Sequence, residues 1–316
     1  MGPAKWTDSK TIMYAFSTCW NSQRHTDGRA MLEEIRDLGF SHVELSHGTR
    51  LSLVAGILDA VAAGVVQVAT VHNFCPLPVG VDRSAPNLYE FTSPDARERE
   101  MALKHTLRTF EFAQRIGARL VVLHLGSQSL KDYGGKLETL LERGEKGTAG
   151  YLKLLDQAKT RREARKEPFM KSLRESLQRL VPEAAKLGLK LGFENREAVH
   201  ELPLESDFSA LLETYPAATA CYWHDCGHAQ IKENLGFIQH EPFLASLSSR
   251  LAGFHVHDVR FPATDHCPPG SGNIDFAALR PHVKPEHIKV FELSPKLPVE
   301  AVRKGVAYLQ SVWGLE

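Results

Sequence analysis

Eight short apolar runs rich in β-branched residues recur along this chain, and each is followed by a stretch with helical spacing. They are IMYAFS (12–17), HVELS (42–46), VVQVATVH (65–72), RLVVLH (119–124), LKLGFE (189–194), ATACYWHD (218–225), LAGFHVHD (251–258) and HIKVFEL (287–293). Apolar strands that alternate with amphipathic helices call for parallel βαβ units. Eight such units close into a TIM-type (β/α)8 barrel, with a doubly wound sheet as the formal competitor. At 316 residues the chain suits a barrel, and a single domain over 1–316 is expected.

The helices are legible from their ends. After Thr26 and Asp27, a capping signal, apolar residues recur at Met31, Leu32, Ile35 and Leu38 and stop at Gly39. Over 94–117 the same logic places Ser93 at the cap, Pro94 in the first turn and Gly117 at the end. The exception is the connection from His124 to Leu189, which reads as a long or broken helical insertion between strands four and five. A loop containing Gly134, Gly135, Gly144, Gly147 and Gly150 is expected to precede it. Its basic residues Lys159, Arg161, Arg162, Arg165 and Lys166 either grip an acidic substrate or form a solvated helix face.

Composition narrows the class of partner. Lys plus Arg and Asp plus Glu each total 38, so no global field draws the chain to nucleic acid or an anionic membrane. The cysteines, Cys19, Cys75, Cys221, Cys226 and Cys267, are odd in number and show no Cys-x-x-Cys spacing, which favours a reducing cytoplasm over a disulfide framework. The opening MGPAKWTDSK lacks an apolar signal region, and Leu51 to Val71 is broken by Asp59, Gly64 and Gln67, unlike a membrane span.

Metal-capable residues end nearly every strand. Glu44, His72, His124 and Glu194 follow strands two to five; Asp225 and His228 follow strand six. His255, His257 and Asp258 follow strand seven, His266 lies in the next loop, and Glu292 follows strand eight. In a barrel these ends converge on one face, where active sites lie. A lone His or Glu is ordinarily structural, but several carboxylates at the mouth of a dense core need a counter-charge. A divalent cation supplies it, and the imidazole and carboxylate set suits Zn, Mn, Co or Mg.

At these residues the chain resembles the xylose-isomerase-like TIM-barrel superfamily: sugar and sugar-phosphate isomerases and epimerases, inosose dehydratases and endonuclease IV. The resemblance is carried by VVLHLGS (121–127), LGFENRE (191–197), HDCGHA (224–229), FHVHDVR (254–260), HCPPGSGNIDF (266–276) and VFELSP (290–295), in that order. It implies that Glu194, Asp225, His255 and Glu292 bind one metal ion, with Glu194 and Glu292 also acting as base and acid. His228 matches a substrate-binding or second-metal histidine. His257 is the other candidate in the HVH triplet, although the spacing to Asp258 favours His255. His72, His124 and His266 match positions that hold extra zinc ions in endonuclease IV. That family's loop carries an Asp two residues before its last His; here Thr264 stands there and the acid is displaced to Asp265, which counts against a complete three-metal site. Arg260 is a candidate for a distal hydroxyl or phosphate, with a rim salt bridge as the alternative.

The implied activity is isomerisation or epimerisation of a sugar, keto-sugar or sugar phosphate through an ene-diolate. Metal-assisted dehydration or lyase chemistry on a keto-sugar or inositol derivative shares that intermediate. Phosphodiester hydrolysis at abasic DNA is a further alternative. A small sugar-type substrate is the expected partner, nucleic acid and membrane are not, and homo-oligomer formation is left open.

Overall fold

Every apolar run becomes a strand in the computed structural model, which describes residues 13–314. In chain order these are β1 (Tyr14–Ser17), β2 (His42–Leu45), β3 (Gln67–His72), β4 (Leu120–Leu123), β5 (Lys190–Glu194), β6 (Ala220–Asp225) and β7 (Leu251–Val256). A short antiparallel ribbon follows, β8 (Asp258–Arg260) with β9 (Thr264–Cys267), and β10 (Ile288–Phe291) completes the set. The barrel closes in the order β1-β10-β7-β6-β5-β4-β3-β2 with parallel pairing throughout, which excludes the open doubly wound sheet. The seventh run, expected as one strand over 251–258, divides: it leaves the barrel after Val256, and Asp258 opens the ribbon.

Alternation along the strands sorts the side chains. Leu120, Val122, Trp223 and Val290 pack inside the barrel, while Val121, Leu123, Phe193 and Phe254 face the helices. Trp223 is fully buried and fills the interior below the strand ends. It fits because Gly253 stands opposite: a Cβ there would lie 2.4 Å from Trp223 Cζ3.

Helix Gly28–Asp37 starts as expected, with the Asp27 carboxylate accepting from Ala30 N at 2.8 Å, and Gly39 follows at φ +104°. Helix Ala96–Arg115 begins later than its Ser-Pro signal suggests. Asp95 caps it by accepting from Arg97 N, and the Ser93 hydroxyl instead donates to Glu98. The insertion between β4 and β5 is three helices, Gly134–Glu142, Ala149–Arg165 and Glu167–Lys186. Its expected glycine-rich loop is therefore corrected: Gly134, Gly135 and Gly150 are helical, and Gly144 and Gly147, at positive φ, turn the chain between two helices.

The basic cluster is mostly structural and surface chemistry. Arg162 pairs with Glu205, Lys166 pairs with Asp207 and Glu163, and Lys159, Arg161 and Arg165 lie exposed. The five cysteines are free. Among the described residues no helix is long and apolar enough to cross a membrane.

Candidate metal centre

Strand alternation brings residues from four neighbouring parts of the barrel mouth to one point. Glu194 ends β5, Asp225 ends β6, His255 lies on β7 and Glu292 directly follows β10. Their donor atoms lie within 4.8 Å of one another, and all four residues are buried. His255 Nδ1 is 2.9 Å from Glu194 Oε1, 3.2 Å from Glu292 Oε2 and 3.6 Å from Asp225 Oδ2.

The opposite edge of that imidazole is held by Glu44, whose Oε2 lies 3.1 Å from His255 Nε2. Glu44 is itself fixed by the hydroxyls of Ser17 at 3.0 Å and Thr70 at 2.8 Å. With Nε2–H donated to Glu44, Nδ1 faces the three carboxylates, the orientation a metal-binding histidine needs. The same environment dictates the charges. Burial by itself would depress His255, yet Glu292, Glu44 and Glu194 hold it well above the ordinary imidazole range. Burial would raise Glu194, but His124 and His255 hold it well below the usual carboxylate range. Asp225 is likewise held low, by His228 and His257 against the effect of burial.

A divalent cation fits this donor set. Three carboxylates and one imidazole nitrogen offer oxygen and nitrogen ligands at one buried point, the mixture that suits such an ion.

Local sequence explains the placement. Asp225 doubles as the N-cap of helix Cys226–Asn234, its Oδ1 accepting from His228 N at 2.7 Å. Asn195 ties β5 to β6, its Oδ1 accepting from Asp225 N at 2.8 Å and its Nδ2 donating to Asp225 O at 2.9 Å. Gly227 sits between Asp225 and His228 because a Cβ there would lie 1.9 Å from His257 Cε1.

The outer histidines surround this point. His72 shares a cluster with Glu194 and His255, His228 and His257 share one with Asp225, and His266 joins His257 and Glu292. His257 Nε2 lies 3.1 Å from the Asp225 carboxylate, whose charge raises the imidazole to about 9 against the effect of burial. In the HVH triplet, His255 therefore faces the central carboxylates and His257 braces Asp225. His124 Nε2 is 3.0 Å from Glu194 Oε2; burial and then Arg196 depress the His124 imidazole to about 3. The displaced acid Asp265 still comes within 4.8 Å of His228 and Glu197, so the Thr264 departure does not empty that corner of acidic ligands.

Two strand-end residues do not join the centre. Arg260 is exposed on β8, outside the buried centre. Asp258 accepts from the backbone N–H groups of Val259, Gly270, Gly272 and Ile274, which makes it the anchor of the 268–274 loop. Two other residues carry more weight than sequence reading assigned. Arg196, two residues beyond Glu194 and hence on the same side by alternation, donates from Nε to Glu201 Oε1 at 2.9 Å. His47, just past β2, places its ring centroid 4.6 Å from that of His72.

The sequence profile described as xylose isomerase-like TIM barrel matches residues 32–312. No curated protein sequence matches the chain. Among solved structures it is similar to a D-tagatose 3-epimerase-like protein, at 15% identity and a TM-score of 0.68, covering 96% of this chain and 97% of that one. It is similar to the 3-keto-D-glucoside 4-epimerase of E. coli at 15% identity and a TM-score of 0.63, with 95% and 100% covered. A D-allulose 3-epimerase from Methylomonas sp. matches at 16% identity and a TM-score of 0.62, with 96% and 91% covered. At such identities the likeness is one of fold.

Proposed function

The chain belongs to the xylose isomerase-like TIM-barrel family, and from that premise we propose that it is a divalent-metal-dependent epimerase or isomerase of a sugar, keto-sugar or sugar phosphate. The observation that carries this reading is the convergence of Glu194, Asp225, His255 and Glu292 within 4.8 Å at the strand ends. When bound there, a divalent cation supplies Lewis-acid chemistry, polarising a carbonyl and stabilising the negative charge of an ene-diolate.

The chain's own residues do the rest. Glu194 and Glu292 come from β5 and from just beyond β10, strands separated by β6 and β7 in the barrel order. One takes the proton from carbon beside the carbonyl, and the other returns a proton to that carbon or its neighbour. An ionised carboxylate suits the first task, and Glu194 is already held low by its histidines despite burial. His228 donates from Nδ1 to Asn195 O at 2.9 Å, which leaves Nε2 to meet a substrate oxygen. Trp223, fully buried beneath His255, closes the floor to water. In this reading the whole chain, 1–316, is one catalytic barrel working in the cytoplasm on a small molecule, with no nucleic-acid partner. Names of the fold neighbours guide the substrate screen: D-tagatose, D-allulose and 3-keto-glucosides.

The test is turnover of those sugars in deuterated water, with deuterium appearing at the epimerised carbon. Glu194→Gln and Glu292→Gln should each lower turnover by about 10²- to 10⁴-fold. A variant that keeps near-wild-type turnover would overturn the acid–base assignment. Phosphodiester hydrolysis draws support from the outer clusters that include His228, His257, His266 and Asp265. It would be established by chelator-sensitive cleavage of an abasic oligonucleotide.

A further inference from the structure

Glu194 turns its two oxygens in different directions. Oε1 faces His255, whereas Oε2 lies 3.0 Å from His124 Nε2 and 3.3 Å from His72 Nε2. The far nitrogens of both rings are already committed. His72 Nδ1–H donates to the Asn73 carbonyl at 3.0 Å, and His124 Nδ1–H donates to Asn87 Oδ1 at 3.0 Å. Arg196 Nη1 can only donate, so His124 Nε2 offers it a lone pair, and His72 Nε2 turns toward the same Glu194 oxygen. Both Nε2 edges and Glu194 Oε2 thus converge on one buried pocket, and imidazoles backed by hydrogen-bond acceptors are oriented as metal ligands are.

This pocket already contains a cation belonging to the chain. Arg196 Nη1 lies 2.7 Å from His124 Nε2 and 3.6 Å from Glu194 Oε2. Its guanidinium is anchored behind: Nε donates to Glu201 Oε1 at 2.9 Å, and Glu201 Oε2 accepts from Ala198 N at 2.9 Å. The Arg196 and Glu201 side chains are only 8% and 5% exposed, and arginine keeps its charge across the accessible pH range. A metal ion bonded to His124 at about 2 Å would need the lone pair that Arg196 now uses. The two cations exclude each other.

We propose that Arg196 is a built-in cation that closes the outer pocket of His72, His124 and Glu194 to a second divalent ion. This rests on the reading of the central quartet as a metal centre. It makes the number of ions at this end of the site a property of one side chain. Removing its charge should turn the pocket into a metal site.

The experiment strips the full chain with chelator, loads it with Zn(II) or separately Co(II), desalts it and measures metal per chain, with melting curves to confirm folding. Wild type and Arg196→Lys should hold equal amounts. Arg196→Met should hold one more equivalent, and the double variant Arg196→Met with His124→Ala should lose it again. His124→Ala alone should leave the wild-type content unchanged. A folded Arg196→Met with no gain, or a wild-type ion that departs on His124→Ala, overturns the proposal. The second comparison decides even where Arg196→Met does not fold. A wild type that retains no metal sinks the metal-centre reading itself; one retained equivalent with no gain on Arg196→Met sinks only the role of Arg196.

Discussion

Two groups of buried charge sit on this barrel, and they are compensated in different ways. At the strand ends, Glu194, Asp225 and Glu292 crowd around one imidazole, His255, with Glu44 behind it, so that histidines supply most of the counter-charge. Between the insertion and the barrel, Glu205 lies 2.6 Å from Lys232 Nζ and 2.6 Å from Arg162 Nη2, with all three side chains nearly buried. The second group sets one carboxylate against two fixed cations of the chain itself. Buried charge is thus no mark of function by itself; carboxylates that share one imidazole at a concave strand-end face are a better one.

The largest stability effect should fall on the Glu205 group. Glu205→Gln leaves Lys232 and Arg162 buried together and should cost about 3–5 kcal/mol in urea unfolding. A loss below about 1 kcal/mol would mean the ion group is not a structural clamp. The cost should depend on pH. Burial would raise Glu205, but Lys232 and Arg162 pull it from 4.5 down to about 2. A carboxylate with a depressed folded value contributes stability above its unfolded value, and that contribution fades as pH falls from about 4.5 toward 2. The gap between wild type and Glu205→Gln should therefore narrow across that window, and a constant gap would count against the ion pairing.

The strand-end group should respond to metal. At a cation concentration 100 times its Kd, wild type should gain about 2.7 kcal/mol, read as a concentration-dependent rise in melting temperature that chelator reverses. A flat response to Mn, Zn, Co and Mg would remove the distinction between the two groups. The smallest effect is also the most pointed. In chelated protein Glu292→Gln relieves like-charge crowding and should be neutral or stabilising by up to about 1 kcal/mol, while lowering turnover by about 10²- to 10⁴-fold. A clear destabilisation of the metal-free protein would show Glu292 to be a structural residue.

Much of this was legible beforehand because strands have a period of two and barrels put their C-terminal ends on one face. Glu194, Asp225, His255 and Glu292 could be gathered on that ground and by family resemblance. Other roles depend on partners far away in sequence. Asp258 looked like one more strand-end ligand, yet its four backbone donors come from both sides of a loop that periodicity does not fold. Arg162 looked like surface charge or a substrate grip, but its partner Glu205 lies beyond β5. Ser93 looked like a cap because Pro94 follows it, and Asp95 took the position through a more direct bond to the helix.

The sequence by itself determined the alternation of strand and helix, the approximate place of each strand and the strand ends that carry the metal-capable residues. Those follow from local periodicity, which each short segment carries alone. The tertiary structure decided which of the gathered residues face one point. It set His255 in front with Glu44 behind it, moved His257 to brace Asp225, left Arg260 exposed and put the Arg196 guanidinium against His124. Such assignments turn on hydrogen-bond geometry and charge balance between different strands, settled at distances of about 3 Å that no single segment encodes.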